Sequence, residues 1–486
     1  MRISLALLSH TNVGKTTLAR TLLRRDIGAV MDRAHVTEVA DSHVLMGTTD
    51  GDELVLWDTP GFGDSVRLLR RLELSGNPVG WFLSQVWDRF ADRPFWCSQQ
   101  ALRAARESAD VLLYVINATE EPASAGYVAP EIRILQWLGK PTLVLLNQVG
   151  TSADPVREAA LASQWREMLE RHAPGLACRL LSFDAFARCW LQEHALLAHI
   201  QECLAPGQRD GFARLRAAWR ERDVQVLKRS AQVIAELLSR TARDEASVAA
   251  ASLGDRARHW FGQGAGIGAS PEEERAQQEL SGRLDAAIRV ATGQLVELHG
   301  LTGTAGAELI KAMGREFDTQ RPVDPDRAGL LGGLVSGALS GLAADVAAGG
   351  MTFGAGAVLG GIAGALGARK LTTLYNAEAG VTRSSVRWSG EFMEAQLENA
   401  LVRYLAVAHF GRGRGDFQAA EAPRRWREAV AAVLQSHVEV RAALWQDLRE
   451  DPAAALRLGI DVEVLLTSTL RALYPDAANH FEESTL

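Results

Sequence analysis

A chain of 486 residues exceeds what one hydrophobic core accommodates, so two to four domains of roughly 100 to 200 residues are expected. With 47% hydrophobic and 23% charged residues and a net charge of -7, it is an ordinary folded protein without the basic field that favours nucleic acid. Cys97, Cys178, Cys189 and Cys203 show no CxxC spacing, which argues against a zinc site or disulfide framework and for reduced thiols in a cytoplasmic protein.

The opening MRISLALLSH has one arginine and a short apolar run but no small-residue cleavage site, so it reads as a first strand and not as a secretion signal. After Lys15, the pairs Leu18/Leu22 and Ala19/Leu23 recur at four-residue spacing, which predicts strand, loop, helix. The loop between them, SHTNVGKT, matches the phosphate-binding pattern G-x-x-x-x-G-K-[ST] with Ser9 in place of the first glycine. In this context the backbone N–H groups of Ser9, His10, Thr11, Asn12, Val13 and Gly14, with Thr17 in the first helical turn, would cradle phosphates. Lys15 would reach the β and γ phosphates, and the Thr16 hydroxyl would bind Mg2+. Ser9 fits provided its backbone need not adopt a positive φ.

Next, AHVTEVAD offers Thr37 as a second hydroxyl on Mg2+ when a triphosphate is bound. In DELVLWDTPGFGDS, alternating Leu54 and Leu56 lead a strand to Asp58, which would hold the Mg2+ shell through water; the Gly61 N–H would sense the γ-phosphate. The stretch 64–108 carries RLLRRLE and the aromatics Trp81, Phe82, Trp87, Phe95 and Trp96. It reads either as a helical insertion burying its own aromatics or as a nucleotide-sensitive contact surface. Apolar runs at 110–118 and 141–150, a helical stretch at 132–138, a strand at 176–182 and a helix reaching 204 complete an alternation of strand and helix. That alternation predicts an α/β domain with a mostly parallel, doubly wound sheet and its ligand at the carboxyl ends of the strands.

Taken in order, residues 9–16, Thr37, Asp58 to Gly61 and Asn147 resemble the motifs of translation-factor-class P-loop GTPases, especially the Era and TrmE branch, over residues 1–205. The resemblance implies GTP and GDP with Mg2+, a catalytic set of Lys15, Thr37 and Gly61, and Asn147, Gln148 and Ser182 on the base side. It also implies a nucleotide-controlled switch. The whole chain is similar to a bacterial family in which such a GTPase precedes a C-terminal domain of unknown function, a match that supplies no mechanism. Two departures bear on function. The guanine-reading N-K-x-D stands as Asn147, Gln148, Val149, Gly150, without its carboxylate; Asp154 and the second base-side loop 182–185 are the available substitutes, and guanine is preferred to adenine on the order of the other motifs. Phe62 follows Gly61 where other GTPases use a glutamine to orient water, so slow intrinsic hydrolysis is expected. In this branch K+ held by a loop asparagine, with pairing of G domains into a homodimer, can supply charge, and Asn12 matches that asparagine; the alternative is that Asn12 only stabilises the loop.

Beyond PGQRDG (206–211) strand signals nearly vanish and a large all-α region is expected, divided into 206–320 and 321–486. Ser270, Pro271 and Glu273 make a capping-box start, followed by the apolar stripe Leu280, Leu284, Ile288, Ala291, Leu295, Leu298 of a core-facing helix. Residues 262–270 and 321–327 read as joints, 391–410 as an amphipathic helix and 426–445 as another helix. Residues 329–368 carry small residues four apart in two apolar runs, which suits a membrane-inserting hairpin and a tight hairpin in a soluble domain equally. The expected function is a slow GTPase switch acting through the helical region on a protein effector. The alternatives are a dynamin-like GTPase meeting a membrane surface through 329–368, a non-hydrolysing nucleotide-bound scaffold, and an adenine-specific ATPase.

Overall fold

A computed structural model of the protein describes residues 1–24, 41–74, 93–147, 155–173, 178–183, 189–249, 271–301, 371–375, 383–410, 424–437, 441, 444–451 and 453–483. Thr37, the aromatics Trp81, Phe82 and Trp87, residues 148–154, Ser270, both joints and the segment 329–368 lie outside the described residues.

Strand β1 (Arg2–Leu8) is the axis of a sheet ordered β2-β3-β1-β4-β5-β6, with β2 Asp41–Gly47, β3 Glu53–Asp58, β4 Val111–Asn117, β5 Thr142–Asn147 and β6 Cys178–Ser182. All neighbours pair in parallel except β2, which runs antiparallel along β3 at the edge with an irregularity between Val44 and Met46. Successive side chains of a strand face opposite sides. Ile3, Leu5 and Leu7 accordingly enter one core with Leu113, Val115 and Leu145, while Ala6 and Leu8 enter the other with Tyr114, Ile116 and Val144. A strand buried on both faces must read as a nearly continuous apolar run, as β1, β4 and β5 do, Ser4 being the one polar residue inside them. Between the strands run helices α1 (Lys15–Leu23), α2 (Ser65–Leu74), α3 (Arg93–Ser108), α4 (Val128–Leu138) and α5 (Pro155–His172), followed after β6 by α6 (Trp190–Cys203). This is the mostly parallel α/β sheet of a P-loop G domain. Phe95 lies in the core beside Phe62 and Leu68, so this part of the long 64–108 connection buries its own aromatic.

Helix α7 (Pro206–Arg243, 38 residues) is about 57 Å long and serves both halves of the molecule. Its Phe212, Leu215 and Trp219 share the core of Ile3 and Leu18; its Leu227, Ala231, Ile234 and Leu238 belong to the core of the C-terminal half. Where the helix changes partners, charged groups are buried. Arg24, the left-handed C-cap of α1 at φ 53°, donates to Asp223 at 2.8 Å and to Glu193 at 3.4 Å. His194 lies 3.1 Å from the other Asp223 oxygen, and Trp219 Nε1 donates to Glu193 at 2.7 Å.

The remainder is largely helical: α8 (Pro271–Leu298), α9 (Gly390–Ala408), α10 (Arg424–Ser436), α11 (Leu444–Glu450), α12 (Ala454–Leu473) and α13 (Pro475–Glu483). The predicted stripe on α8 is core, with Leu280, Leu284, Ile288, Ala291 and Leu295 buried against residues of α7 and α9. Two features differ from expectation. A three-stranded antiparallel sheet, β7 (Glu245–Ala249), β9 (Arg383–Trp388) and β8 (Leu371–Tyr375) in the order β7-β9-β8, joins segments far apart in sequence. Its strands are five or six residues long and carry serine, threonine and arginine, too short and polar to give a period-2 signal. The helix expected from 426 to 445 ends at Ser436 instead, where Ser436 Oγ and His437 Nδ1 meet the Val433 carbonyl and compete with the backbone for a terminal acceptor, and α11 begins at Leu444. Among the described residues no helix is long and apolar enough to cross a membrane.

His299 follows α8, buried edge-on to Tyr404 of α9 at 5.5 Å between ring centroids. Burial first, and then the charge of Arg24, lowers its pKa from 6.5 to about 3. The folded protein therefore holds it neutral, while the unfolded chain gains a proton as pH falls through 6.5, so stability from this group is present above 6.5 and is lost toward 3. The unfolding free energy measured in urea should decline with acidification below about 6.5, at up to ~1.4 kcal/mol per pH unit for one proton. His299→Leu should flatten that part of the profile, and an unchanged slope in the variant would refute the assignment.

Candidate nucleotide-binding site

Parallel strands bring their carboxyl ends to one edge of the sheet, and the loop after β1 lies there beside Asp58 and Asn147, the last residues of β3 and β5. The loop's backbone needs two left-handed positions: Gly14, the N-cap of α1, at φ 93° and Asn12 at φ 62°. Asparagine tolerates that region better than most side chains. Among the described residues the non-glycine positions of positive φ are Asn12 and Arg24, so Ser9 stands in ordinary backbone where no glycine is required. Its side chain is in use: Ser9 Oγ donates to the His10 carbonyl at 2.5 Å and accepts from Lys15 Nζ at 2.8 Å.

Lys15 is buried, and its ammonium lies 3.3 Å from the His10 carbonyl. Burial lowers its pKa to about 8 against the opposing pull of Asp58 and Glu131. Asp58 is buried as well; burial pushes its carboxyl upward, while the Thr16 hydroxyl, which donates to Oδ2 at 2.7 Å, and Lys15 oppose that push. Its second oxygen, Oδ1, is buried and accepts no hydrogen bond from the described residues. A hydroxyl beside a carboxylate with a spare buried lone pair is an all-oxygen donor set of the kind that suits Mg2+, so these residues fit that ion.

Gly61 is required by proximity. A Cβ placed there would lie 2.9 Å from Thr11 Cα and 3.0 Å from Lys15 Nζ. The next residue, Phe62, donates its N–H to the Ser9 carbonyl at 2.9 Å and turns its ring wholly into the core with Leu68 and Phe95. Asn147 is fully buried, and its Nδ2 donates to the Val13 carbonyl at 2.7 Å, bracing the loop from β5. Ser182 ends β6, half-buried, at the same edge. Ser9 to Thr17, Asp58, Gly61 and Asn147 thus come together from separate parts of the chain, whereas Thr37, Gln148 and Asp154 fall outside the described residues.

Sequence reasoning missed Glu131. This residue of α4 is fully buried; its Oε1 lies 2.9 Å from His10 Nδ1, and its Oε2 accepts from the Tyr114 hydroxyl at 2.7 Å. The His10 ring stacks on Tyr127 at 4.2 Å, and the Tyr127 hydroxyl donates to Glu120 at 3.0 Å. The signal was present: Val128, Glu131, Ile132 and Leu135 share one buried helical face, and a carboxylate within an apolar stripe needs a partner.

The brace from β5 is testable. Asn147→Ala removes the donor to a buried carbonyl and should cost about 1–3 kcal/mol in urea unfolding. A change within about 0.5 kcal/mol would show that the carbonyl is satisfied in another way.

Residues 4–148 match the family model described as the 50S ribosome-binding GTPase and form a P-loop GTPase domain. Solved structures similar to this chain include an Era variant from Aquifex aeolicus bound to GDP and AlF4-, at 15% identity and a TM-score of 0.31, covering 62% of this chain and 98% of that one. Era in complex with MgGDPNP and a piece of 16S ribosomal RNA is similar at 17% identity and a TM-score of 0.30, covering 58% of this chain and 89% of that one. A structure of chloroplast translocon components is similar at 16% identity and a TM-score of 0.27, covering 39% of this chain and 72% of that one. These scores are too low for the structures to say what this chain does. No curated protein matches it. Residues 175–463 match the model of a domain of unknown function over more than half of the chain, so the protein belongs to the DUF3482 family, with a GTPase domain ahead of that region.

Proposed function

We propose that this protein binds GTP and GDP with Mg2+, hydrolyses GTP slowly and uses the nucleotide state to control its helical region and, through it, a protein effector. The observation that carries the reading is the set of buried Lys15 and Asp58 with half-buried Thr16 at the carboxyl edge, and Gly61 packed against Thr11 and Lys15. Lys15 and the N–H groups of residues 9–14 and Thr17 hold the phosphates, and the helix dipole of α1 favours their negative charge. Thr16 and Asp58 hold Mg2+, Asp58 through water, with Thr37 as a second hydroxyl ligand. The ion supplies charge neutralisation on the β and γ oxygens. Asn147, Gln148 and Ser182 lie toward the base, and guanine is preferred.

Hydrolysis transfers the γ-phosphoryl group to water, leaving GDP and inorganic phosphate. The residue after Gly61 faces the core, so its side chain contributes nothing to orienting that water, in keeping with a slow intrinsic rate. The left-handed Asn12 is compatible with K+ as an accessory cation and with a purely conformational role. Pairing of two G domains would be a further source of charge. A division into 1–205, 206–320 and 321–486 goes with this reading, in a cytoplasmic protein; α7 begins at the first boundary and packs in both cores, which gives the two halves a shared element through which to communicate.

Equilibrium binding of fluorescent GDP, GTP and ATP with Mg2+ tests the reading. The wild type should prefer the guanine nucleotides, and Lys15→Ala should abolish binding while the protein stays folded. Full affinity in the variant would overturn the site, and a preference for ATP would overturn the base assignment.

A further inference from the structure

We propose that Glu131 is a positioning residue for the phosphate loop, anchoring the His10 side chain so that the loop backbone is held in the shape that receives phosphate. The proposal rests on the nucleotide-binding reading and names a residue that lies outside the loop motif.

The carboxylate is fully buried, and both of its oxygens are engaged, by His10 Nδ1 at 2.9 Å and by the Tyr114 hydroxyl at 2.7 Å. A buried carboxylate carries a desolvation penalty of several kcal/mol unless well paired, and an apolar residue on this stripe would fill the core without it. The two bonds have different consequences. The Tyr114 bond joins α4 to β4, one core element to another. The His10 bond joins α4 to the loop, and it acts on a ring already stacked face-on by Tyr127 at 4.2 Å. The ring is thereby held at its edge and on one face.

The anchored residue also takes part in the loop's interior. The His10 carbonyl accepts from Ser9 Oγ at 2.5 Å and lies 3.3 Å from Lys15 Nζ. Its side chain is bonded outward to α4 while its carbonyl is bonded inward to the residues expected to meet phosphate. Displacement of His10 would therefore shift the ammonium and the adjacent N–H groups together.

The test uses the full-length protein, with fluorescent GDP and Mg2+ as probe and thermal unfolding recorded in parallel. Glu131→Leu and His10→Ala should each weaken GDP binding by about 10- to 100-fold, the loss expected for a hydrogen bond to a charged group. The double variant should be no weaker than the poorer single one, because both remove the same link. His10→Asn, which keeps a donor near the Nδ1 position, should recover much of the affinity. Tyr114→Phe should lower the melting temperature and leave GDP affinity within about threefold, since it removes the bond between core elements. Unchanged affinity in folded Glu131→Leu and His10→Ala proteins, additive losses in the double variant, or an equal loss in Tyr114→Phe would each overturn the positioning role. If Glu131→Leu does not fold, the His10→Ala and His10→Asn pair decides alone. A wild type that binds no guanine nucleotide would remove the underlying reading itself, an outcome distinct from all of these.

Discussion

A lysine ammonium buried at the mouth of a sheet needs partners, and the layout of this G domain's carboxyl edge follows from providing them. Burial lowers the Lys15 pKa to about 8, and the fields of Asp58 and Glu131 pull it back. The two carboxylates come from opposite directions, Asp58 from β3 on one side of β1 and Glu131 from the helix that follows β4 on the other. Each is itself buried and pushed upward by desolvation, so each also relies on neighbours: Thr16 and Lys15 for Asp58, His10 and Tyr114 for Glu131. None of the three ionisable groups is economical alone. Together they specify one arrangement of loop, strand and helix, and the same crowding leaves room only for glycine at position 61.

Helix α1 carries this constraint toward the helical half. It begins at the loop with Lys15 and ends at Arg24, whose guanidinium is inserted among Asp223, Glu193 and their partners on α6 and α7. A nine-residue helix rises only about 13 Å, so the nucleotide site and the ionic cluster stand at the two ends of one short element. The cluster adjoins the C-terminal half directly: a Cβ at Gly300 would lie 3.5 Å from Arg24 Cβ, and Arg24's charge is felt at His299. An anchor at each end of one short helix, buried Lys15 and half-buried Arg24, resists independent movement of its ends, which is a mechanical precondition for a nucleotide-dependent switch.

The parts legible in the sequence were those where one periodicity dominates. β1, β4 and β5 are buried on both faces and show it as nearly continuous apolar runs, and the loop motif between β1 and α1 needed only that context. The α8 stripe was equally plain, since an exposed helix has no reason to repeat leucine at four-residue spacing. What escaped notice depended on tertiary partners. The β7-β9-β8 sheet draws on residues more than a hundred positions apart, and its short polar strands gain their order from pairing. Glu131 sits in phase with an apolar stripe, and only the fold reveals that His10 and Tyr114 wait at its two oxygens.

Ser9 shows how a departure from a motif becomes intelligible once conformation and chemistry are separated. A glycine is needed where φ is positive or where backbone approaches another group closely. In this loop the first requirement is met by Asn12 and Gly14, and the second by Gly61 on the neighbouring strand's loop. Position 9 is under neither, so a side chain is allowed there, and serine puts it to use. Its hydroxyl receives a hydrogen bond from Lys15 and gives one to the His10 carbonyl, linking the loop's cation to the residue that Glu131 anchors. A glycine would leave the buried ammonium with one acceptor fewer. The altered motif is therefore consistent with the rest of the site: polar side chains at positions 9, 10 and 131 supply contacts that a more glycine-rich loop would leave to the backbone alone.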